Sequence, residues 1–444
     1  MSAHLTFWQK WFCKKQQPEK FISFLLGTIV LPVALAVALV GVALMRVDAA
    51  FTPDDIAKIQ HNRSDFAWRG PQRLYAAIKL ARLQLEKPEI AIIGSSRVGQ
   101  IRCAIFKPYS CYNATMIGWN LERMGKVMQI VGGDHPPKIV VMNVDFLMFN
   151  SGFQEHWSGP ENKMPLAYTR QQVAIAALKN VITTWNEDPS KVLHQFMDGK
   201  RGTDDDYTVF GPTLWDENNT LIRSDGSLTF THMADYRSRT DYLRSIGADP
   251  DFFTIDMDDF LRGNRSLIPR DHTVTVMLSE HSLAGHGQHI DPNAMAQLVN
   301  IAHIAQQRGI TLVAVQLPYL RKIVHVLDAG KDFYEEGRSF MGADSGVWKE
   351  FESPKTAEQL TDMGLLFFDF SRMAEHESLS CFLDGQHPSE YMDLTALLAV
   401  LKDPRLRTLL PDIDLRKLED IREQAITEKN CFDIFREHAF MPKP

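Results

Sequence analysis

At 444 residues the chain is long enough for one large or two moderate domains, and its 45% hydrophobic and 23% charged residues are ordinary for a globular protein with a sizeable core. A net charge of −7, with no Lys- or Arg-rich block in the body of the chain, excludes a nucleic-acid footprint, which needs a clustered basic excess. No C-x-x-C spacing occurs, so a structural zinc site has no support.

Residues 1–20 carry Lys10, Lys14, Lys15 and Lys20 against Glu19 and read as a cytoplasmic tail. Phe21 to Met45, FISFLLGTIVLPVALAVALVGVALM, is a run of 25 residues without a charge. At ~1.5 Å per residue it can cross a hydrocarbon layer of ~30 Å with some tilt, and membrane helices tolerate a residue such as Pro32. The lysines before it predict that the N-terminus stays in the cytoplasm and that the chain after Met45 is translocated. This makes the protein a single-pass protein of the inner (cytoplasmic) membrane with its main domain extracytoplasmic or periplasmic. A cleaved signal peptide is the alternative, with Val47-Asp48-Ala49 as a weak small-residue site, although the run exceeds the usual h-region of roughly 7–15 residues.

Residues 46–87 read as a stalk and first helix. Asp48–Arg69 is polar, and Pro71–Lys87 has helix-forming composition with Pro in its first turn. From residue 88 a strand–helix rhythm begins. The apolar run Glu89–Ile93, between Pro88 and Gly94, is too short for a helix and reads as a buried strand. Lys138–Val144, Ile310–Leu317 and Leu365–Phe370 repeat that pattern, with helices expected over Asn120–Val131 and over Pro292–Arg308, capped by Asp291. Strands alternating with helices predict an α/β fold: a parallel sheet covered on both faces, supplied by residues 88–150 and 291–400.

Residues 151–290 break the rhythm. Their middle, rich in Gly, Asp, Asn and Thr, suggests turns and short hairpins, and the segment reads as an insertion or cap. Trp157, Trp185, Tyr207 and Trp215 there could stack on sugar rings or simply pack in a core. His281, His286 and His289 fit no metal-ligand spacing in a loop made flexible by Gly285 and Gly287, so no metal is expected. Residues 401–444 read as a helical extension.

The five cysteines fit this topology. Cys13 falls on the cytoplasmic side, and Cys103, Cys111, Cys381 and Cys431 fall where disulfides persist. Of three pairings, Cys103–Cys111 within one loop and Cys381–Cys431 tying the tail are preferred, with buried free thiols the alternative.

In a doubly wound sheet, ligands sit at the carboxyl ends of strands. Gly94-Ser95-Ser96-Arg97 occupies that place after the first strand, where a serine hydroxyl lies beside helix N–H groups that favour developing negative charge. A serine nucleophile needs a base, and the base an orienting carboxylate. Asp384-Gly385-Gln386-His387, just after the last strand, supplies both on one turn. The competing reading makes Ser96 a helix cap and His387 a surface histidine.

The order of serine turn, lone glycine, strand-end motif and D-x-x-H resembles the SGNH hydrolase superfamily. Within it the likeness is to membrane-anchored extracytoplasmic members that handle O-acyl groups on envelope polymers. Examples are the alginate acetylation proteins and the D-alanine transfer protein of the teichoic-acid pathway, whose serine turn also reads GSS. The match covers Ile90–Asn150 and Ile310–Ser389. It implies a three-layer, flavodoxin-like α/β/α domain with Ser96 as nucleophile, His387 as base and Asp384 holding the imidazole. It also implies an oxyanion hole from the Ser96 and Gly118 N–H groups, with Asn113 in the same YNATMIGW block.

Two departures stand out. Ser95 replaces the usual Asp, and the block usually reading G-x-N-D is Asn143-Val144-Asp145-Phe146, which leaves Asp145 to pair with Arg97 or to be held protonated. Arg97 itself could touch a carboxylate or the substrate. The resemblance implies a serine O-acyltransferase acting without a cofactor on a cell-envelope polysaccharide, supplied with acyl groups by a multi-pass membrane O-acyltransferase partner. A carbohydrate esterase with the same residues, and a non-catalytic scaffold that binds glycan or a partner, are the alternatives.

Overall fold

A computed structural model describes residues 24, 26–35, 51–63, 66–68, 74–131, 133–151, 166–190, 203–204, 207–210, 220–230, 289–321, 324, 327–328, 333–335, 338–340, 346–373, 381–382, 386–432 and 434–435. The chain divides into two compact units, one of Met1–Ala50 with Arg170–Lys200, the other of Phe51–Thr169 with Arg201–Pro444.

The larger unit holds the strand–helix rhythm. In chain order come α1 (Pro53–Asn62), β1 (Phe66–Trp68), α2 (Tyr75–Glu86), β2 (Ile90–Gly94), β3 (Cys111–Thr115), α3 (Leu121–Val131) and β4 (Ile139–Asn143). After four short strands, β5 (Thr203–Asp204), β6 (Tyr207–Phe210), β7 (Thr220–Ile222) and β8 (Leu228–Phe230), follow α4 (Pro292–Gln307) and β9 (Thr311–Gln316). A hairpin of β10 (Phe333–Glu335) and β11 (Arg338–Phe340) precedes α5 (Gly346–Phe351), α6 (Pro354–Asp362) and β12 (Leu366–Asp369). Three helices close the described chain: α7 (Glu390–Leu401), α8 (Pro404–Leu409) and α9 (Leu415–Glu428).

Five of these strands form one sheet in the order β3-β2-β4-β9-β12. All neighbours run parallel, with Ile92 level with Asn113 on one side and Val141 on the other, and Val313 level with Val141 and Leu366. Counted within the sheet this is the 2-1-3-4-5 order of doubly wound folds, whose switch point lies between the first and third strands, here β2 and β4. Helices flank the sheet, so Ile90–Ile93 and Ile139–Asn143 are buried along their whole length, which is why both read as unbroken apolar runs. Asp291 caps α4 by accepting from the Asn293 N–H at 2.9 Å.

The strand without a sequence signature is β3. Its residues CYNAT are half polar, and it is an edge strand of the sheet. The edge is protected by the turn between β7 and β8: the Asn113 N–H donates to the Asp225 carbonyl at 2.8 Å. Gly226 in that turn has φ +81°, and a Cβ there would stand 2.1 Å from the Asn113 carbonyl oxygen, so only glycine fits. The Gly226 carbonyl in turn accepts from Lys79, a fully buried lysine of α2 whose pKa burial pushes well down, against the opposing charge of Asp225.

The short strands of the inserted region do not stand apart. With β1 they form a second sheet, β5-β6-β1-β7-β8, in which β1 runs parallel to β6 and antiparallel to β7. Likewise the segment before the main sheet is more than a stalk. Ile56, Trp68, Leu74, Tyr75 and Ile78 are buried with Met116, Trp119, Ile222 and Leu228 in a second hydrophobic cluster.

In the smaller unit, Leu26–Val30 is π-helical and 31–35 continue as helix. Among the described residues no helix is long and apolar enough to cross a membrane, and most of the 21–45 run lies outside them. The helix Arg170–Glu187 belongs to the same unit.

Candidate active site

The turn after β2 separates the roles of its two serines. Ser95 is the cap of the 3₁₀ turn Ser96–Gln100: its Oγ accepts from the Arg97 N–H at 3.3 Å and donates to Asn143 Oδ1 at 2.8 Å. Its carbonyl accepts from Thr115 Oγ1 at 2.6 Å. A Cβ on Gly94 would come within 2.9 Å of Asn143 Cβ and Val98 Cγ2, so the strand can end here only on glycine. With Ser95 committed to capping, Ser96 faces away, and its Oγ lies 2.6 Å from His387 Nε2. That separation is within hydrogen-bond reach of a nucleophile and its base.

His387 is held by its neighbours on both sides. Ser389 caps α7, and its N–H donates to the Cys381 carbonyl at 3.1 Å, while Pro388 bridges to Phe382. The disulfide Cys381–Cys431 and the Tyr391 N–H to Cys431 carbonyl bond (3.2 Å) tie the start of α7 to the tail. A second disulfide joins Cys103 to Cys111, beside β3. Asp384 lies outside the described residues.

Arg97 connects the serine turn to two other strand ends and to the histidine loop. Its guanidinium pairs with Asp145 after β4, and donates at 2.7 Å to both the Leu317 and Pro318 carbonyls after β9. It lies over the Tyr319 ring, 3.8 Å from the centroid, and its Nε donates to the Gln386 carbonyl at 2.9 Å. Burial is the largest influence and opposes the charge, but Asp145, Tyr319 and Asp393 together outweigh it and hold Arg97 protonated. Tyr319 donates to Asp145 as well, and burial pushes its hydroxyl far above its ordinary range. Asp393, buried on α7 in the field of Arg97, has neither oxygen partnered among the described residues, and burial drives its carboxyl strongly towards the neutral form. Arg97 and Asp145 are thus paired deep in the domain.

Two of the three expected oxyanion donors, Gly118 and Asn113, are engaged with backbone carbonyls. The Gly118 N–H donates to the Gly94 carbonyl at 3.3 Å, and a Cβ at Gly118 would stand 2.6 Å from Met124 Cγ, so this glycine serves close packing. Asn113 Nδ2 donates to the Val98 and Ile101 carbonyls at 2.7 and 2.8 Å, and its Oδ1 accepts from the Thr115 N–H, bracing the serine turn from below. The residue sequence reasoning passed over is Asn143. It ends β4 beside Gly94, gives its Oδ1 to Ser95, and leaves Nδ2 buried with no partner among the described residues. Its signal was present: an asparagine closing an apolar strand at the switch point.

Other expected residues fall elsewhere. Trp157, Trp215, His281 and His286 lie outside the described residues. Tyr207 opens β6 in the second sheet, and Trp185 is exposed on the helix Arg170–Glu187. His289 is exposed, 3.4 Å from Glu350. Among the described residues no group of His, Cys, Asp and Glu is arranged to hold a metal ion.

The fold and this geometry define a parallel α/β domain with a serine–histidine pair at its topological switch point. No family model matches the chain, and no characterised protein matches it at significance.

Proposed function

We propose that the protein is an extracytoplasmic serine O-acyltransferase that works through an acyl-Ser96 intermediate. The observation carrying this reading is the 2.6 Å approach of Ser96 Oγ to His387 Nε2 across a separation of 291 residues. A helix-capping serine has no reason to meet a distant imidazole, and the capping is done by Ser95.

His387 takes the Ser96 proton as the oxygen attacks an acyl carbonyl, then delivers it to the departing alcohol. In the second half-reaction His387 deprotonates an acceptor hydroxyl, which attacks the acyl-serine, and returns that proton to Ser96 Oγ as the ester bond to the serine breaks. Asp384, three residues before His387, is assigned to hold the imidazole tautomer. The N–H of Ser96, at the first position of its 3₁₀ turn, and Asn143 Nδ2, without a partner among the described residues, are assigned to the oxyanion.

The acceptor is a hydroxyl of a cell-envelope polysaccharide. The uncharged 21–45 run is the membrane anchor, and a multi-pass membrane O-acyltransferase supplies the acyl groups. Membership of the SGNH superfamily and its three-layer architecture belong to the same proposal, supported by the parallel 2-1-3-4-5 sheet and the residue pair. Water in place of the sugar would make the same residues an esterase.

The test is adduct formation with a serine-directed fluorophosphonate, mapped by peptide mass. The adduct is expected on Ser96 and absent from Ser96→Ala. Polymer O-acylation should also be lost in cells carrying Ser96→Ala at normal protein level. Unchanged acylation there, or no adduct at Ser96 under any condition, would return the protein to a binding scaffold.

A further inference from the structure

The helix Arg170–Glu187 exposes Ile175, Ile182 and Trp185 to solvent, at 59%, 53% and 46%. Seven residues are nearly two turns, so Ile175 and Ile182 point within about 20° of one another, and Trp185 lies under one turn further along the same side. Val173, nine residues from Ile182, is buried, on the opposite side of the helix. The bare stripe therefore faces away from the side on which the helix packs. Its charges are few, Arg170, Lys179 and Glu187, and only Lys179 falls along the stripe.

This helix shares its compact unit with Met1–Ala50, not with the sheet unit. In that partner segment Phe24, Leu26, Ile29, Val30, Leu31, Val33 and Leu35 are exposed on every side of the helix. A helix apolar all round finds its surroundings in lipid, and a helix that shares its unit is brought to the same surface. A stripe of Ile with a terminal Trp and one long cationic stem is the composition that settles at the boundary of headgroups and acyl chains.

We propose that Arg170–Glu187 is an interfacial membrane helix, lying flat beside the 21–45 anchor with Ile175, Ile182 and Trp185 in the outer acyl region. The proposal rests on the anchor reading, and the experiment separates the two. It also goes beyond that reading, because it ties the protein to the bilayer at a second place, more than a hundred residues along the chain.

The full chain is reconstituted in vesicles of three parts phosphatidylcholine to one of phosphatidylglycerol, containing a photoactivatable lipid, and lipid adducts are mapped by peptide. Adducts are expected in 21–45 and in 170–187, with none above background in α9, a water-facing control. Ile175→Asp with Ile182→Asp should cut labelling of 170–187 at least fivefold and leave 21–45 unchanged. Labelling of 21–45 with 170–187 at the α9 level overturns the interfacial helix and leaves the anchor standing. Protection of 170–187 from an aqueous label without lipid adducts also overturns it, in favour of a protein cover. An unlabelled 21–45 overturns the anchor and this proposal with it.

Discussion

Arg97 Nε donates to the Gln386 carbonyl at 2.9 Å, so the residue after Ser96 holds the residue before His387. The same guanidinium reaches Asp145, Leu317 and Pro318, and it therefore fixes the serine turn and the histidine loop to one frame of strand ends. A fork of several N–H donors is needed to do this, and lysine has none of that geometry.

Arg97→Lys keeps the charge beside Asp145 and loses the bond to Gln386. A shift of the base by about 1 Å is enough to cost roughly 10²-fold in rate. The second-order rate of fluorophosphonate adduct formation at Ser96 is expected to fall by about that factor, with the optimum of its pH profile moved and cooperative melting retained. A rate within twofold of the unaltered protein would show that Arg97 does not position His387.

Ser95→Ala removes the cap and leaves Asn143 Oδ1 without its donor. The loss of a cap costs ~1 kcal/mol, read as a lower denaturant midpoint. Adduct formation at Ser96 should persist, because the Ser96–His387 approach does not pass through the Ser95 hydroxyl. Abolished labelling in a folded Ser95→Ala protein would assign the nucleophile to the wrong serine.

Glu352 supplies a pH dependence of stability. Burial and then the neighbouring Asp369 raise its carboxyl to about 7, while Arg372 and Ser371 pull the other way. Gln316 also donates to it, and Arg372 is itself engaged with Asp328. An acid with a raised folded pKa binds its proton more tightly when folded, so its favourable contribution is present at low pH. Stability should therefore fall as pH rises from the ordinary glutamate range to about 7, then level off. Melting temperature against pH measures the slope, and Glu352→Gln should flatten it. A slope unchanged in that variant would place the titration elsewhere.

Lys429 ends α9 with φ 54°, in the left-handed region that L side chains adopt at a cost. Lys429→Gly relieves it and should raise stability by ~1 kcal/mol, visible as a higher denaturant midpoint with unchanged slope. A lower midpoint would mean that the lysine side chain contributes more than the backbone strain removes.

Much of the main sheet was legible because its strands are buried on both faces, and such burial writes itself as short apolar runs between Pro and Gly. β2, β4 and β9 announce themselves this way, while β12, a half-buried edge strand, shows an apolar run because Leu366, Phe367 and Phe368 pack against the core. β3 does not, because Asn113 and Thr115 turn inward to brace the serine turn and their polarity hides the strand. The second sheet was hidden for another reason. β1 is three residues long, and its partners come from 142 positions further on, as with Phe66 and Thr208, and from 154, as with Trp68 and Ile222.

By itself the sequence determined the alternation of strands and helices, the uncharged 21–45 run, and the presence of a serine turn at a strand end and a D-x-x-H sequence far along the chain. Local composition and periodicity carry all of these. Which serine caps and which meets the histidine, that Gly118 and Asn113 spend their donors on the backbone, and that Asn143 keeps one without a partner among the described residues were decided only in three dimensions. Each depends on which partner the fold brings within about 3 Å, and hydrogen-bond capacity is spent between groups the chain order keeps far apart.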